Sequence, residues 1–535
     1  PVSSLVRSFL GTSEQIMDIS QMSEEEQLQA AMQLSLQEVA PAERLPEEPR
    51  LRPSRPKPRS FPSKDPQDAL PEPTRATAKK KRGEPRGEAE MDQKAVEDLL
   101  QLLFGDSPEA VDVERWLKVG FTWSQRSGTE WGLWQKQGGP CGVYAPVQAF
   151  IVKHLLFGGE PIPRRKEHPL GTGADDEDDR GAVLAHALAS ILFQCTPNSS
   201  YTICQVHFSA EGDSQEAQAV QQAAPAAVAA GQGSSVLAAT VRQVARIAEA
   251  RQVLEEGVDS WLAGPLGVLS FLFSVLVSRT VATVTEDMDD SSTPLIGRFG
   301  HCSQELVNLM LIGESTSNVF DGTRWLGDDP SSGFLVRGVD SERVGVPQVG
   351  LLSELETYRL LSVGMLYKNP DFPIWVLASP THYTMIFSTQ RSDSQLSEEA
   401  KLDQQVKKVF VENSIDEGGL AMSTNLGKML EALGIESKKL PDAQQDIVRE
   451  DVILWEDFRV WVGRQFNVVA ADKTSGKIQL FLYDGQDPPG PTLKSVRVEL
   501  SDIDPAFACG GSEGDAFVAT LHTRWPDAAV LVENL

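Results

Sequence analysis

The spacing of apolar residues changes character near Asp92. Upstream, residues 40–91 carry proline and charge with almost no apolar content, too little to bury a core, and read as a disordered linker. Downstream, helical and strand periods alternate. Ala95–Phe104 is an amphipathic helix ended by Gly105, and Tyr144, Val147, Phe150, Ile151, Leu155 and Leu156 place a second helix over 141–157, stopped by Gly158-Gly159. An acidic run, 175–179, reads as a loop before a helix over 183–193, and Ser200–Phe208 reads as a strand. Residues 209–234, rich in Ala, Gln, Gly and Ser, read as a disordered insert, followed by a helix over 236–256. Ser303 caps a further helix through Met310. Two apolar runs, 374–378 and 382–387, flank a turn containing Pro380, which predicts a hairpin with His382 opening its second strand. Residues 399–434 read helix–loop–helix. Asn413, Ile415, Glu417 and Thr424 fall at the positions of EF-hand ligands, but the closing glutamate is missing, so calcium is not expected. The tail has further strand-like runs, such as Ile478–Tyr483 before Asp484-Gly485.

The uncharged run from Ser260 to Ser278 is at the threshold length for a membrane span. Gly264, Pro265 and Gly267 break its first third, and Ser270, Ser274 and Ser278 recur at helical spacing, so the expectation is a buried core helix. The whole is a domain over 92–535 of mixed helix and strand.

With 535 residues the chain can bury a large core, and its formal charge of −27 argues against general binding to nucleic acid or anionic membrane. The five cysteines are irregularly spaced with no CxxC pair, which supports neither a disulfide framework nor a zinc ribbon and fits a reducing compartment. No secretory leader is expected, because the first residues lack a basic stretch followed by an apolar one. Lys79-Lys80-Lys81-Arg82 is a candidate nuclear-localisation run, so the expected location is the cytoplasm and nucleus. No metal or cofactor is expected.

The candidate chemistry lies in Gln135-Lys136-Gln137-Gly138-Gly139-Pro140-Cys141. Two glycines and a proline deliver one thiol to the start of an apolar helix, where unpaired N–H groups and the helix dipole favour a thiolate. A nucleophilic cysteine needs a base. Of the seven histidines, His154 lies on the cysteine's own helix several turns away, and His382, opening a hairpin strand, is the best placed. Papain-like folds hold their base on such a sheet, packed against the cysteine helix. The Cys141 N–H supplies one oxyanion donor, and Gln135 or Gln137 could supply a second. Asp484, in its turn after a strand, is the candidate to hold the His382 ring.

The run Gln135 through Phe157 resembles the active-site segment of the MINDY deubiquitinases, in the branch reading Gln-x-x-Gly-Gly-Pro-Cys. Segments 298–308, 317–322 and 523–526 resemble family segments as well, over roughly 92–535. The resemblance implies a papain-like α+β cysteine isopeptidase with helical inserts and a disordered N-terminal arm. It assigns Cys141 as nucleophile and His382 as base, and it prefers Gln135 to Gln137 as the oxyanion donor. It implies ubiquitin and polyubiquitin as partners, with lysine-48-linked chains as substrate. In the N-terminal tail, 1–39, Ser23 caps a helix over 24–38 with Leu28, Ala31, Met32 and Ser35 on one face. Acidic residues followed by Leu28, Ala31 and Ser35 resemble a ubiquitin-interacting motif, a short helix docking on a flat apolar patch. The alternatives are a ubiquitin-binding scaffold with a latent site, and a cysteine protease or acyltransferase acting on another substrate.

Overall fold

A computed structural model describes residues 88–158, 177–196, 200–326, 334–394, 402–466, 476–500 and 516–534, less a few positions within them. The chain divides after Gly83 into two units, and the first lies outside the described residues. The motif helix with Leu28, Ala31 and Ser35, the linker through Gly87, the basic run 79–82, His168 and Cys509 therefore lie outside them too.

The second unit opens with two helices, α1 (Gln93–Phe104) and α2 (Ala110–Leu117). Asp92 caps α1 by accepting from the Lys94 N–H, and Gly105 ends it at φ 75°. The cysteine helix, α3 (Cys141–Phe157), is buried on every face from Cys141 to Val152, so it is a central core helix rather than an amphipathic one. It packs against α4 (Glu177–Cys195), which begins inside the acidic run. Glu177 to Asp179 are thus the first turn of a helix and not a loop, the end where the dipole favours acidic residues.

The region 200–257 corrects two expectations. Strand β1 (Tyr201–Phe208) is as predicted, but residues 209–234 are not a disordered insert. They hold helix α5 (Gln215–Ala229), capped by Ser214, with Ala217, Ala224 and Val228 buried. Alanine, the strongest helix former, supplies a face small enough to pack closely, which composition alone does not distinguish from low complexity. The predicted helix over 236–256 is instead strand β2 (Leu237–Val244) followed by α6 (Ile247–Gly257). β2 pairs antiparallel with β1 along its whole length and with Ala89–Glu90 on its other side.

The threshold segment forms α7 (Gly267–Arg279), nearly all of it buried. Its serines explain their spacing: Ser278, Ser274 and Ser270 accept from the backbone N–H groups of Thr202, Cys204 and Val206 at 2.9, 2.8 and 2.9 Å. These alternate N–H groups face away from β2, so the helix satisfies the free edge of β1 that would otherwise be buried unpaired. Among the described residues no single helix is long and apolar enough to cross a membrane. Helix α8 (Gln304–Ile312) follows, capped by Ser303, whose hydroxyl accepts from the Leu306 N–H.

A six-stranded sheet completes the site's scaffold. Its strands are β3 (Gly350–Ser353), β4 (Ile374–Ala378), β5 (Tyr383–Ser388), β6 (Gly476–Asp484), β7 (Thr492–Leu500) and β8 (Ala529–Asn534), hydrogen-bonded in that order. Only the β3–β4 pair is parallel. The sheet is covered on both sides, and alternate residues divide between two cores. Ile374, Val376, Met385 and Phe387 join the main core around α3, whereas Trp375, Leu377 and Ile386 join a second core with Val496, Leu521 and Trp525.

Residues 402–466 build a third core around Phe410, Leu426, Phe458 and Trp461. The predicted helix pair over 399–434 is only partly right. Leu420–Met422 is a strand paired antiparallel with Val452–Leu454, and helix Leu426–Ala432 follows. The pair is therefore part of a small packed mixed unit; Ile415 and Glu417 lie outside the described residues.

Candidate active site

Cys141 is the first residue of α3 and is 2% exposed. Pro140 sits at the cap without a side-chain hydrogen bond; its carbonyl accepts from the Val143 and Tyr144 N–H groups at 2.9 and 3.0 Å, so neither of these is left for the site. Gly139 takes φ +115°, and a Cβ there would lie 3.0 Å from the Gly300 carbonyl oxygen. The two loops interlock at that glycine.

His382 precedes β5, tied to the hairpin turn by its N–H on the Ser379 hydroxyl and its carbonyl accepting from the Ser379 N–H. The pairing of β5 with β6 runs Ser388 opposite Leu480 to Met385 opposite Tyr483. One further pair sets Asp484 opposite Thr384, which makes His382 and Asp484 diagonal neighbours across the two strands. The contact is made: His382 Nε2 lies 3.0 Å from Asp484 Oδ1. The Nδ1 atom is buried and without a hydrogen bond of standard geometry, leaving it as the ring nitrogen for the thiol.

Gln135 is held next to Asp484, against the turn that follows it. Its N–H donates to the Gly485 carbonyl (2.8 Å) and its carbonyl accepts from the Asp487 N–H (3.0 Å), a parallel bridge just beyond the end of β6. The segment before it is fixed by the Leu133 N–H on Gln148 Oε1 and by the Tyr483 hydroxyl on the Leu133 carbonyl. Gln135 is 3% exposed, and its Nε2 donates to the Gln137 carbonyl at 2.7 Å, which leaves the second amide hydrogen unassigned. The Gln137 side chain is exposed. Gln135, Tyr144, Tyr383 and Asp484 line one small cavity.

Two groups reach the thiol that the sequence reading left without a role. His301 lies against Cys141 alongside His382, and Cys302 packs on the first turn of α3. A Cβ on Gly142 would fall 2.6 Å from Cys302 Cβ, so only glycine fits there. Both thiols point at the Gly139 carbonyl, at 3.8 Å from Cys141 and 3.7 Å from Cys302. The signal in the sequence was adjacency: His301-Cys302 follows a glycine-rich turn and precedes a capped helix, as the cysteine motif does. The remaining described histidines are engaged elsewhere. His154 bonds Ser190, His186 lies on Arg251, His207 contacts the Phe208 carbonyl and His522 contacts the Ala528 carbonyl.

The electrostatics follow from these contacts. Burial alone pushes the Cys141 thiol up, but hydrogen bonds from His301 and His382, the His382 charge and the Tyr383 backbone outweigh it and bring the thiol down to about 7. Burial pushes His382 down, and the Asp484 carboxylate together with Cys141 raises it to about 10. The arrangement therefore favours a thiolate–imidazolium pair near neutral pH. For Cys302, burial and the charge on Cys141 push the thiol well above its ordinary value, so it stays protonated.

The chain matches the family model for the conserved domain of the deubiquitinating enzymes MINDY-3/4 over residues 100–415. It is 32% identical to ubiquitin carboxyl-terminal hydrolase MINDY-3 of Bos taurus over 360 residues, covering 64% of this chain and 75% of the relative. The MINDY-3 protein of Xenopus tropicalis is 32% identical over 437 residues, 78% of this chain and 92% of the relative. The probable ubiquitin carboxyl-terminal hydrolase MINDY-4 of Mus musculus is 31% identical over 304 residues, 56% of this chain and 38% of the relative. No solved structure matches the chain.

Proposed function

This chain belongs to the MINDY-3/4 deubiquitinating enzymes, and on that premise we propose that it cleaves isopeptide bonds in lysine-48-linked polyubiquitin with Cys141 as nucleophile, His382 as acid and base, Asp484 as the group that holds the ring and Gln135 as an oxyanion donor. The observation that carries the reading is the His382 ring, with Nε2 on Asp484, Nδ1 left open and the Cys141 thiol against it. The thiolate attacks the carbonyl of ubiquitin's C-terminal glycine. The developing oxyanion is met by the Cys141 N–H and the Gln135 amide, and the His382 imidazolium gives its proton to the leaving lysine amine. His382 then takes a proton from water as it attacks the thioester, which frees ubiquitin and restores the thiolate–imidazolium pair. A papain-like arrangement is supported by a cysteine at the start of a core helix packed on a largely antiparallel sheet, with the histidine at the mouth of one strand and the carboxylate at the end of its neighbour. The helix over 24–38 is the second ubiquitin contact in this reading.

The test uses chains of each linkage type with the wild-type protein and Cys141→Ala. Wild type is expected to cut lysine-48-linked chains fastest, and Cys141→Ala to cut none. A ubiquitin probe with a C-terminal electrophile should label Cys141. Chains left intact by the wild type with the probe bound point to a latent scaffold, and turnover of other peptides with no labelling points to another substrate.

A further inference from the structure

The loop 297–303 brings His301 to the thiol, yet its most conspicuous side chain touches nothing that explains it. Gly297 N–H donates to the His301 carbonyl at 2.8 Å, closing a tight turn with Phe299 at its tip. Phe299 takes φ 61° and ψ 14°, the left-handed region, where a Cβ crowds the backbone and an aromatic is rare. The turn is held there from outside. Arg115 Nη1 donates to the Phe299 carbonyl at 2.8 Å, Trp116 Nε1 donates to the Gly300 carbonyl at 2.9 Å, and Gly139 abuts that same carbonyl from the nucleophile's loop. For all this anchoring of the backbone, the Phe299 side chain is 54% exposed. Its ring centre lies 6.5 Å from that of His301 in an edge-on arrangement. Strained, over-determined backbone clusters where function requires a side chain in one place. Here the constraint serves neither the core nor a cap, since a glycine would hold the turn without strain.

We propose that Phe299 grips the acyl side of the substrate, packing on the apolar side chain that precedes the terminal glycines of ubiquitin's tail; this rests on the ubiquitin reading above. The chemistry of the tail leads to the same place. It ends leucine-arginine-glycine-glycine, so the two residues nearest the scissile carbonyl offer no side chain and grip must come from further back. An extended peptide advances about 3.3 Å per residue, so the leucine falls about 10 Å from the carbonyl under attack. Phe299 stands edge-on to His301, whose ring lies against the thiol, so an exposed apolar ring stands beside the nucleophile.

The experiment is steady-state kinetics of the full chain on ubiquitin carrying a C-terminal fluorophore, with Phe299→Ala, Phe299→Gly and Phe299→Trp. Loss of a contact made equally before and in the transition state raises KM and spares kcat. Phe299→Ala and Phe299→Gly are each expected to raise KM about tenfold with kcat within about twofold, and Phe299→Trp to stay near wild type. The glycine variant keeps the turn, so it separates loss of the ring from collapse of the loop. Ubiquitin with alanine in place of the tail leucine should raise the wild-type KM similarly and add nothing further in Phe299→Ala. Unchanged KM in both truncating variants, with the wild type active, overturns the role of Phe299 alone. No turnover by the wild type overturns the ubiquitin reading and this inference with it.

Discussion

The acidity of Cys141 is set by a chain of three groups. Its helix start is buried, and burial by itself raises the thiol; what lowers it to about 7 is the pair of histidines, one of them charged through Asp484. Asp484→Asn keeps the shape and removes the charge. His382 then loses its main support against burial and titrates lower, the thiolate loses its cationic partner, and the Cys141 thiol titrates higher. At a thiol value of about 7, roughly half is thiolate at pH 7, and a rise of about one unit leaves roughly a tenth. Alkylation of Cys141 by a small haloacetamide, followed against pH, should show its half-point near 7 in the wild type and about one unit higher in Asp484→Asn. The neutral-pH kcat/KM should fall on the order of tenfold or more. A half-point that does not move would reduce Asp484 to a steric buttress. At this scale Cys141 and His382 were legible because each sits at a local landmark, a Gly-Gly-Pro turn before a helix and the mouth of a hairpin. Asp484 was legible only as a turn aspartate, since its contact with His382 arises from strand register with a partner 102 residues away. The approach of His301 to the thiol depends on the contact between Gly139 and Gly300, which no local pattern announces.

Among the elements, α7 shows what a sequence pattern can and cannot convey. Three serines at helical spacing in an apolar run argue against a membrane span, but their partner, the outer edge of β1, is not legible, because the pattern over β2 reads as helix. Leu237 and Ala239 are buried and Val241 packs partly buried on the same core, while Ala238 and Thr240 between them are half-exposed, a period of two that the neighbouring alanine-rich stretch obscures. The serine ladder has a measurable consequence. Ser274 Oγ accepts from the Cys204 N–H and donates to the Ser270 carbonyl at 2.8 Å, wholly buried. Ser274→Ala removes the acceptor and strands a donor in the core, at a cost of about 1–3 kcal/mol. Chemical denaturation should show this loss as a lower midpoint with an unchanged slope. A surface control, Ser292→Ala, should shift the midpoint far less, since its partner Asp290 is exposed. Equal effects of the two substitutions would remove the ladder as a source of stability.

For the molecule as a whole, catalysis and substrate capture are assigned to different units of the chain. The proposed catalytic groups all lie between Gln135 and Asp484, whereas the sequence motif of Leu28, Ala31 and Ser35 precedes the boundary at Gly83. On the sequence reading of residues 40–91 as a linker, occupancy of the helix by one ubiquitin raises the local concentration of its neighbours at Cys141 towards the millimolar range. That gain exists only for a substrate that can reach both places. A single ubiquitin with a C-terminal fluorophore cannot bridge them and should be processed alike by the wild type and by Leu28→Ala combined with Ser35→Ala. A long lysine-48-linked chain at concentrations below KM should be cut about tenfold more slowly by the double variant, with the rates converging as the chain concentration rises. The arm would change KM for chains and leave the chemistry at Cys141 alone. Equal slowing on both substrates would place the two residues in the fold of the enzyme instead, and equal rates on both would take the arm out of the reaction.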